Sequence, residues 1–404
     1  MKNIYLDKNN NKAILLAGIL SLIIAMGIAR FSYTSLLPMM LEKDIDLKLS
    51  GILASFNYVG YLSGAVLAIF IKRIYTKVIL FRIGMILSVL STAMMGIVNS
   101  EYLYILSRII AGFGSAMGLV VGSSLVMYKL NAKNKTKLMG IHFAGVGAGI
   151  IVADIIIRFS LSDLFTPISW QNSWIVLSVF AFLFSLYPMY ILQIKKDITT
   201  DQNHHGVNKE LFSFFVIALL LSYFCAGVGF VINGTFLPTI FNSIEQLKPY
   251  STISWIIVGI TAIPSSIIWA KLAVKYGNIN AITLAFVLQA FGVLIPTFST
   301  NVFLNLFGAF LYGSTFIGHV TLFLALGGKL AGKNPVILMG ALTAIYSLGQ
   351  IFAPLYAVEL TNYYNGDFTV ALYVTAFIVT IGGILIFVAN MINDKKNHTS
   401  GNSI

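Results

Sequence analysis

Charged side chains are scarce in this chain. Of its 404 residues only 10% are Asp, Glu, Lys or Arg, whereas soluble domains carry about 25%. A chain of this length with so few charges cannot cover a water-exposed globule. The composition therefore excludes a soluble enzyme and indicates that lipid surrounds much of the folded surface.

Cysteine is also almost absent, because Cys225 is the single thiol of the chain. One thiol cannot form an intramolecular disulfide, and it cannot supply a thiolate metal cluster. The sequence contains neither a GxxxxGK[ST] phosphate-binding run nor an HExxH metalloprotease run. We therefore expect no cofactor, no metal and no ATP-hydrolysing step.

Apolar residues, by contrast, make up 58% of the chain. They form twelve runs, each close to the roughly 20 residues with which a helix crosses a bilayer. The runs lie at about 13–40, 49–71, 78–98, 102–128, 138–159, 172–193, 211–240, 252–274, 280–298, 302–327, 336–361 and 368–392. The sequence thus predicts an all-α polytopic membrane protein with about 12 transmembrane helices.

The formal net charge of +12 is divided unevenly between the two sides of the membrane. When alternate connections are assigned to alternate sides, one side receives most lysines and arginines and the other only Lys43, Lys48 and Lys248. Basic residues favour the cytoplasmic side. We therefore expect a multi-pass protein of the plasma (inner) membrane with both termini cytoplasmic. The positive charge then indicates membrane topology, and we expect no nucleic-acid partner.

The chain repeats itself at an offset of 200 residues. Gly27, Leu37-Pro38, Lys129-Leu130, Leu138-Met139-Gly140 and Gly149 recur as Gly227, Leu237-Pro238, Lys329-Leu330, Leu338-Met339-Gly340 and Gly349. Each half has an even number of spans, so the two halves run in parallel. We predict an N-terminal six-helix half at 1–193, a cytoplasmic linker at 194–210, a C-terminal half at 211–392 and a cytoplasmic tail at 393–404. His204 and His205 in the linker lack further ligands nearby, which favours a solvated loop over a metal site.

Three local stretches carry a resemblance to a known family. They are GIARFSYTSLLP at 27–38, NYVGYLSG at 57–64 and GIHFAGVGAG at 140–149. Together they resemble the YbfB/YjiJ-like subfamily of the major facilitator superfamily. The resemblance implies two six-helix halves and transport by alternating access, but it implies no substrate. The superfamily signature GxxxDRxGRR is degenerate here, since Lys72 stands at the acid and Tyr75 at the second glycine, whereas RIIAGFGSAMG at 108–118 fits the RxxxGxG pattern.

Ionisable residues inside the apolar runs are the first candidates for a functional site. Each costs about 2.5–3.5 kcal/mol to insert and usually faces the bundle interior. At about 1.5 Å per residue, Arg30, Arg108 and Asp154 lie at one depth, and the resembled fold places their helices at or beside the central cavity. We therefore expect these three residues to meet. A guanidinium recognises carboxylate or phosphate groups, which favours an anionic or zwitterionic solute, although a purely structural ion pair is the alternative for Arg30.

Proton coupling requires a group that changes charge. Asp154 is the only acid that the sequence buries in the spans, since Glu359 near the end of the eleventh run belongs to the outer side. Arg158 follows Asp154 at i+4 on the same face, however, and a permanent salt bridge is equally compatible with the pattern. His319 is the other candidate, since an unperturbed histidine titrates at about pH 6.5. We interpret His142, near the inner end of its run, as structural.

Neutral polar residues complete the candidate site. Asn57, Tyr58, Asn233 and Gln350 either orient a solute or form hydrogen bonds between helices. The sequence predicts a monomeric secondary transporter, a symporter or antiporter, that moves a small organic solute across the lipid bilayer and is driven by an ion gradient, with protons expected. A membrane-embedded sensor or enzyme with a transporter-like body is the alternative.

Overall fold

The computed structural model describes residue 7 and residues 9–71, 73–130, 135–162, 169–194, 213–331 and 335–401. Most of the predicted linker at 194–210, with His204 and His205, lies outside the described residues, as does the end of the predicted tail at 393–404. The same holds for several lysines that the charge pattern assigns to the inner side, namely Lys2, Lys8, Lys72, Lys133, Lys195, Lys196, Lys209 and Lys333.

Twelve helices within these ranges are long and apolar enough to cross a membrane. They are α1 (Asn11–Lys43), α2 (Leu47–Phe70), α3 (Ile74–Ile97), α4 (Glu101–Lys129), α5 (Lys135–Ser160), α6 (Trp170–Ile191), α7 (Phe214–Ser243), α8 (Ser251–Tyr276), α9 (Asn278–Phe298), α10 (Val302–Leu330), α11 (Pro335–Tyr363) and α12 (Thr369–Gly401). The predicted all-α fold with about 12 transmembrane helices is confirmed. We call α1–α6 the N-half and α7–α12 the C-half, and we call the side where α1 begins the inner side.

Short polar residues determine where several helices begin. The Asp46 carboxylate accepts a hydrogen bond from the Leu49 amide at 2.6 Å, and the Asn301 side chain accepts one from the Leu304 amide at 3.1 Å. These contacts satisfy amides of the first helical turn, which have no partner within the helix. Helix α8 ends at Gly277, whose φ of 90° is a conformation that favours glycine. Local sequence thus separates one span from the next.

The ends of the helices keep the 200-residue offset of the sequence repeat to within one residue. Helix α1 ends at Lys43 and α7 at Ser243, while α4 begins at Glu101 and α10 at Val302. Equivalent residues therefore occupy equivalent places in successive halves.

Two glycine crossings explain part of the repeat. A Cβ atom on Gly27 of α1 would overlap the backbone of Gly149 in α5, and a Cβ atom on Gly349 of α11 would overlap the Phe224 carbonyl of α7. Glycine is needed because the two backbones touch. Gly27 and Gly149 recur as Gly227 and Gly349, so each half preserves the same close crossing of its first and fifth helices.

Helices α1 and α4 share a departure from regular α-geometry. Helix α1 is wound as a π-helix over Ile23–Phe31, and α4 over Met117–Val121. The segments lie against each other, since a Cβ atom on Gly118 would overlap that of Ala25. Their repeat equivalents in α7 and α10 are described as regular α-helix. π-Segments are often found at functional sites, and the π-segment of α1 carries Arg30.

The outer surface of the bundle is apolar. Ile86 of α3, Phe182 of α6, Val287 of α9 and Phe377 of α12 expose between 48% and 67% of their surface. In water such a surface would drive association. With the twelve spans, it is the surface of an integral, multi-pass membrane protein.

Candidate functional site

The candidate site lies where the two halves meet. Helix α2 packs against α11, α5 packs against α8, and the outer part of α1 packs against α7. Thr34 of α1 donates a hydrogen bond from Oγ1 to the carbonyl oxygen of Gly234 in α7 at 2.5 Å. Thr34 and Gly234 are equivalent residues of the repeat, and equivalent residues touch only near the axis that relates the halves. This contact therefore marks the centre of the interface.

Pro238 supplies the acceptor for that contact. Proline has no backbone N–H, so the carbonyl oxygen four residues earlier has no helical donor. In α7 that oxygen belongs to Gly234, which instead accepts from Thr34. Both Pro238 and its repeat equivalent Pro38 lie inside continuous helices. At Pro238, the freed carbonyl joins the two halves.

Arg30 lies next to this axis with its charge uncompensated. Its side chain is 5% exposed, and its Nε and Nη2 atoms are buried without a hydrogen-bond partner among the described residues. The guanidinium carbon lies 4.6 Å from the ring centroid of Tyr58 and 4.7 Å from that of Tyr61. Cation–π contacts of this kind stabilise a cation. No carboxylate of the described residues forms an ion pair with Arg30.

Arg108 of α4 supports Arg30 through the backbone. Its Nη1 donates to the carbonyl oxygen of Ala29 at 3.1 Å, and its Nη2 donates to that of Arg30 at 3.4 Å. The same guanidinium lies 4.6 Å from the Tyr33 ring. Arg108 thus fixes the π-segment that carries Arg30. Two positive charges share this region, and no acid in the described chain is paired with either of them.

A small cavity adjoins both guanidinium groups. It is lined by Arg30, Phe31, Tyr33, Thr34, Ala54, Asn57, Tyr58, Arg108, Gly234 and Thr235. Its volume is about 10 Å³, which is roughly the space that one water molecule needs. A solute can therefore reach Arg30 only after the two halves separate.

Asp154 does not join the two arginines, so the expected meeting of all three residues is only partly found. Its Oδ2 accepts from Nε of Arg158 at 3.0 Å, and Ser35 of α1 lies beside its carboxylate. Asp154 is 1% exposed, whereas Arg158 is 51% exposed in the last turn of α5. The depth of a residue along its helix does not determine the direction in which its side chain points around the helix axis. At about 100° per residue, Ser35 and Arg30 face different sides of α1.

Two of the four neutral candidates contact the arginines. Asn57 donates from Nδ2 to the Arg108 carbonyl oxygen at 3.0 Å, which is a hydrogen bond between helices, and Tyr58 places its ring against Arg30. The other two, Asn233 and Gln350, belong to the C-half, and each buries a side-chain oxygen without a partner.

The histidines lie away from Arg30. His142 accepts or donates a hydrogen bond with Ser123 at 2.8 Å and is fully buried, in keeping with the structural interpretation. His319 is 1% exposed and forms no side-chain hydrogen bond with the described residues, while its ring lies 4.5 Å from that of Phe286. Gln289, which sequence reasoning missed, is likewise buried with both amide atoms unpartnered. An isolated glutamine within the ninth apolar run was the available signal.

The aromatic residues around Arg30 were also missed. Tyr61 and Phe230 both face the guanidinium, but aromatic residues are common in any apolar helix and carry no signal alone. The repeat offered one signal, since Phe230 is the equivalent of Arg30.

Comparison with known proteins identifies the family. Residues 22–387 match the family described as "Uncharacterised MFS-type transporter YbfB". The chain belongs to this family of major facilitator transporters. The resemblance found in the sequence is thereby confirmed, and the chain is a secondary transporter of a small-molecule solute rather than an enzyme.

The fold of this transporter is also found in a solved structure. A crystal structure of the nucleoside transporter NupG matches with a TM-score of 0.71 and 15% sequence identity, over 95% of this chain and 100% of that chain. At this identity the likeness shows the fold alone. No curated protein matches the sequence.

Proposed function

We propose that this transporter moves a small organic anion and that Arg30 binds the anionic group. The observation that carries the proposal is the buried guanidinium with two unpartnered nitrogens and no ion-pair partner in the described chain. Burying a charge without a counterion is costly. A carboxylate can accept two parallel hydrogen bonds from one guanidinium. A bound organic anion would therefore supply both the counterion and the hydrogen-bond acceptors that Arg30 lacks.

The charges around the cavity favour an anion over a zwitterion. An ammonium group would require a nearby acid, but Asp154 is the only buried acid of the described residues and it is paired with Arg158. Arg108 directs two donors to backbone carbonyl oxygens. We therefore assign Arg108 to the positioning of Arg30, and Asn57, Asn233 and Gln350 to the polar lining of the opened site.

Proton coupling is assigned to Asp154. Its partner Arg158 is half exposed at the end of α5, so this side chain can turn to water and leave the carboxylate free to take up a proton. Ser35 beside the carboxylate belongs to α1, the helix that carries Arg30. Protonation would therefore be communicated to the anion site through α1. His319 is the alternative carrier, because it is a buried ionisable group without a side-chain hydrogen bond among the described residues.

We further propose a monomer in the inner membrane with both termini cytoplasmic. Among the described residues, more lysines lie at the inner ends of the spans than at the outer ends: Lys12, Lys77, Lys129, Lys271, Lys275 and Lys329 against Lys43, Lys48 and Lys248. The support is the charge distribution, since basic residues favour the cytoplasmic side.

Counterflow in proteoliposomes tests the proposed solute class. Purified protein is supplied with radiolabelled solutes of four kinds: an organic anion, a zwitterionic amino acid, a neutral nucleoside and an organic cation. The nucleoside is included because the solved neighbour is a nucleoside transporter. We expect protein-dependent exchange of the anion above protein-free liposomes. Exchange of the nucleoside or the cation without the anion would contradict the proposal.

A further inference from the structure

The C-half presents an aromatic surface to Arg30. Phe230 of α7 is the repeat equivalent of Arg30, and its ring centroid lies 5.7 Å from the Arg30 guanidinium carbon. One position of the repeat is thus a cation in one half and a phenyl ring in the other. The two side chains face each other beside the axis.

Phe230 belongs to a larger group of rings. Its centroid lies 5.4 Å from that of Phe316, 6.2 Å from that of Tyr346 and 6.5 Å from that of Tyr312. We call Phe230, Tyr312, Phe316 and Tyr346 the aromatic wall. Helices α7, α10 and α11 all contribute to it.

The aromatic wall extends inward by stacking. Tyr346 stacks on Tyr223 with centroids 4.5 Å apart and planes inclined by 24°. Tyr223 in turn stacks on Phe323 at 4.4 Å and 15°. Flat rings therefore already stack on one another in this part of the C-half, in one of the arrangements that aromatic pairs prefer.

The two formal charges beside the axis belong to the N-half alone, where Tyr58 and Tyr61 also lie against Arg30. Arg30 and Arg108 both belong to the N-half, whereas the wall consists of side chains without formal charge. A solute bound between the halves contacts both surfaces. Its anionic end fits the N-half, and its body fits the C-half.

We propose that the transported anion carries a planar aromatic ring, which stacks on Phe230 and Tyr346 while the anionic group binds Arg30. This inference rests on the proposed function. When the halves separate, Arg30 loses its contact with the Phe230 ring. An aromatic anion restores a ring contact on Phe230, whereas a saturated anion of the same size only fills space.

Equilibrium binding to the purified full-length protein tests this inference. Benzoate and cyclohexanecarboxylate have the same charge and the same number of carbon atoms, but only benzoate has a flat ring. We expect benzoate to bind with a dissociation constant roughly fivefold lower or more, the size expected of one or two ring contacts. Equal dissociation constants would overturn the proposed preference for an aromatic ring but would not contradict the proposed anion site. Binding of neutral benzamide without binding of either carboxylate would overturn the anion site itself.

A variant and its matched control test whether Phe230 causes the preference for the aromatic carboxylate. We expect Phe230→Leu to bring the ratio of the two dissociation constants close to one while both carboxylates still bind. The control is Phe291→Leu, because Phe291 is 46% exposed on α9 and lies against Phe298. An unchanged ratio in Phe230→Leu would overturn the role of the wall. If that variant does not fold, Tyr346→Leu makes the same test, because Tyr346 is the other ring on which the solute is proposed to stack, and the wild-type ratio decides the aromatic preference alone.

Discussion

At the scale of single residues, the important property of this protein is a buried positive charge without a partner. Arg30 is held against the rings of Tyr58 and Tyr61, and Arg108 fixes the backbone that carries it. Ring contacts compensate a charge only partly, being worth about 2 kcal/mol or somewhat more when desolvated. The protein therefore retains Arg30 at the expense of its own stability.

That interpretation predicts a gain of stability when the charge is removed. We expect Arg30→Gln to unfold at a higher temperature than wild type, because it removes a buried charge that has no counterion. The expected gain is about 1–2 kcal/mol, the size commonly obtained when a functional strain is relieved. Thermal unfolding of detergent-purified protein measures it, with Lys48→Gln, an exposed cation, as the control. A marked loss of stability in Arg30→Gln would show that the guanidinium has a structural partner.

The pair Asp154–Arg158 allows a second prediction at this scale. We expect Asp154→Asn to retain solute exchange but to lose accumulation driven by a pH gradient, because the proton site is gone. Arg158→Gln should retain accumulation, since the carboxylate remains. Both are measured in the same proteoliposomes, with and without the gradient. Equal losses in the two variants would show that the pair is a permanent salt bridge.

At the scale of helices, one hydrogen bond joins the two halves near their axis. Thr34 donates to the carbonyl oxygen that Pro238 leaves free in α7. Ser55 of α2 makes a second contact of this kind, with the carbonyl oxygen of Ile351 in α11. Alternating access requires such contacts to break when the outer side opens.

Replacement of Thr34 tests this contact. We expect Thr34→Val to shift the outer ends of α1 and α7 apart, because valine matches threonine in shape but cannot donate to Gly234. Thr34→Ser keeps the donor and should resemble wild type. Distances between spin labels at Lys43→Cys and Ser243→Cys, in a Cys225→Ser background, report the shift. Identical distance distributions in the valine and serine variants would contradict a role in outer closure.

The sequence predicted the helices better than their contacts. Apolar length and turn residues determine the spans, so the predicted runs agree with α1–α12 to within a few residues for most helices. Depth was also predicted for Arg30 and Arg108, because each residue adds a fixed rise. The direction in which the Asp154 side chain points was not predicted, because it depends on how α5 crosses α1 at the contact of Gly149 with Gly27. The periodicity of apolar residues in the sequence does not predict the π-segments.

At the scale of the whole molecule, twelve helices form two related halves that differ in chemistry at their interface. The N-half contributes two guanidinium groups with rings around them, whereas the C-half contributes the uncharged aromatic wall. The small cavity beside Arg30 shows that the halves close tightly around the site. Under the proposed function, the solute reaches Arg30 from each side in turn.

Orientation in the membrane gives a prediction at this scale. In a Cys225→Ser background, Lys248→Cys should react with a membrane-impermeant maleimide in intact cells, whereas Lys12→Cys should react only after permeabilisation. Both lysines are exposed, at opposite ends of the spans. The reverse labelling pattern would place the termini outside.

The central claim is that Arg30 binds the anionic group of the solute. The most direct test compares the initial rate of organic-anion counterflow in proteoliposomes that contain wild type or Arg30→Gln. A buried charged hydrogen bond that is lost costs about 2–5 kcal/mol, so we predict that the rate falls by at least about 30-fold while the protein remains folded. An unchanged rate in Arg30→Gln would contradict the claim.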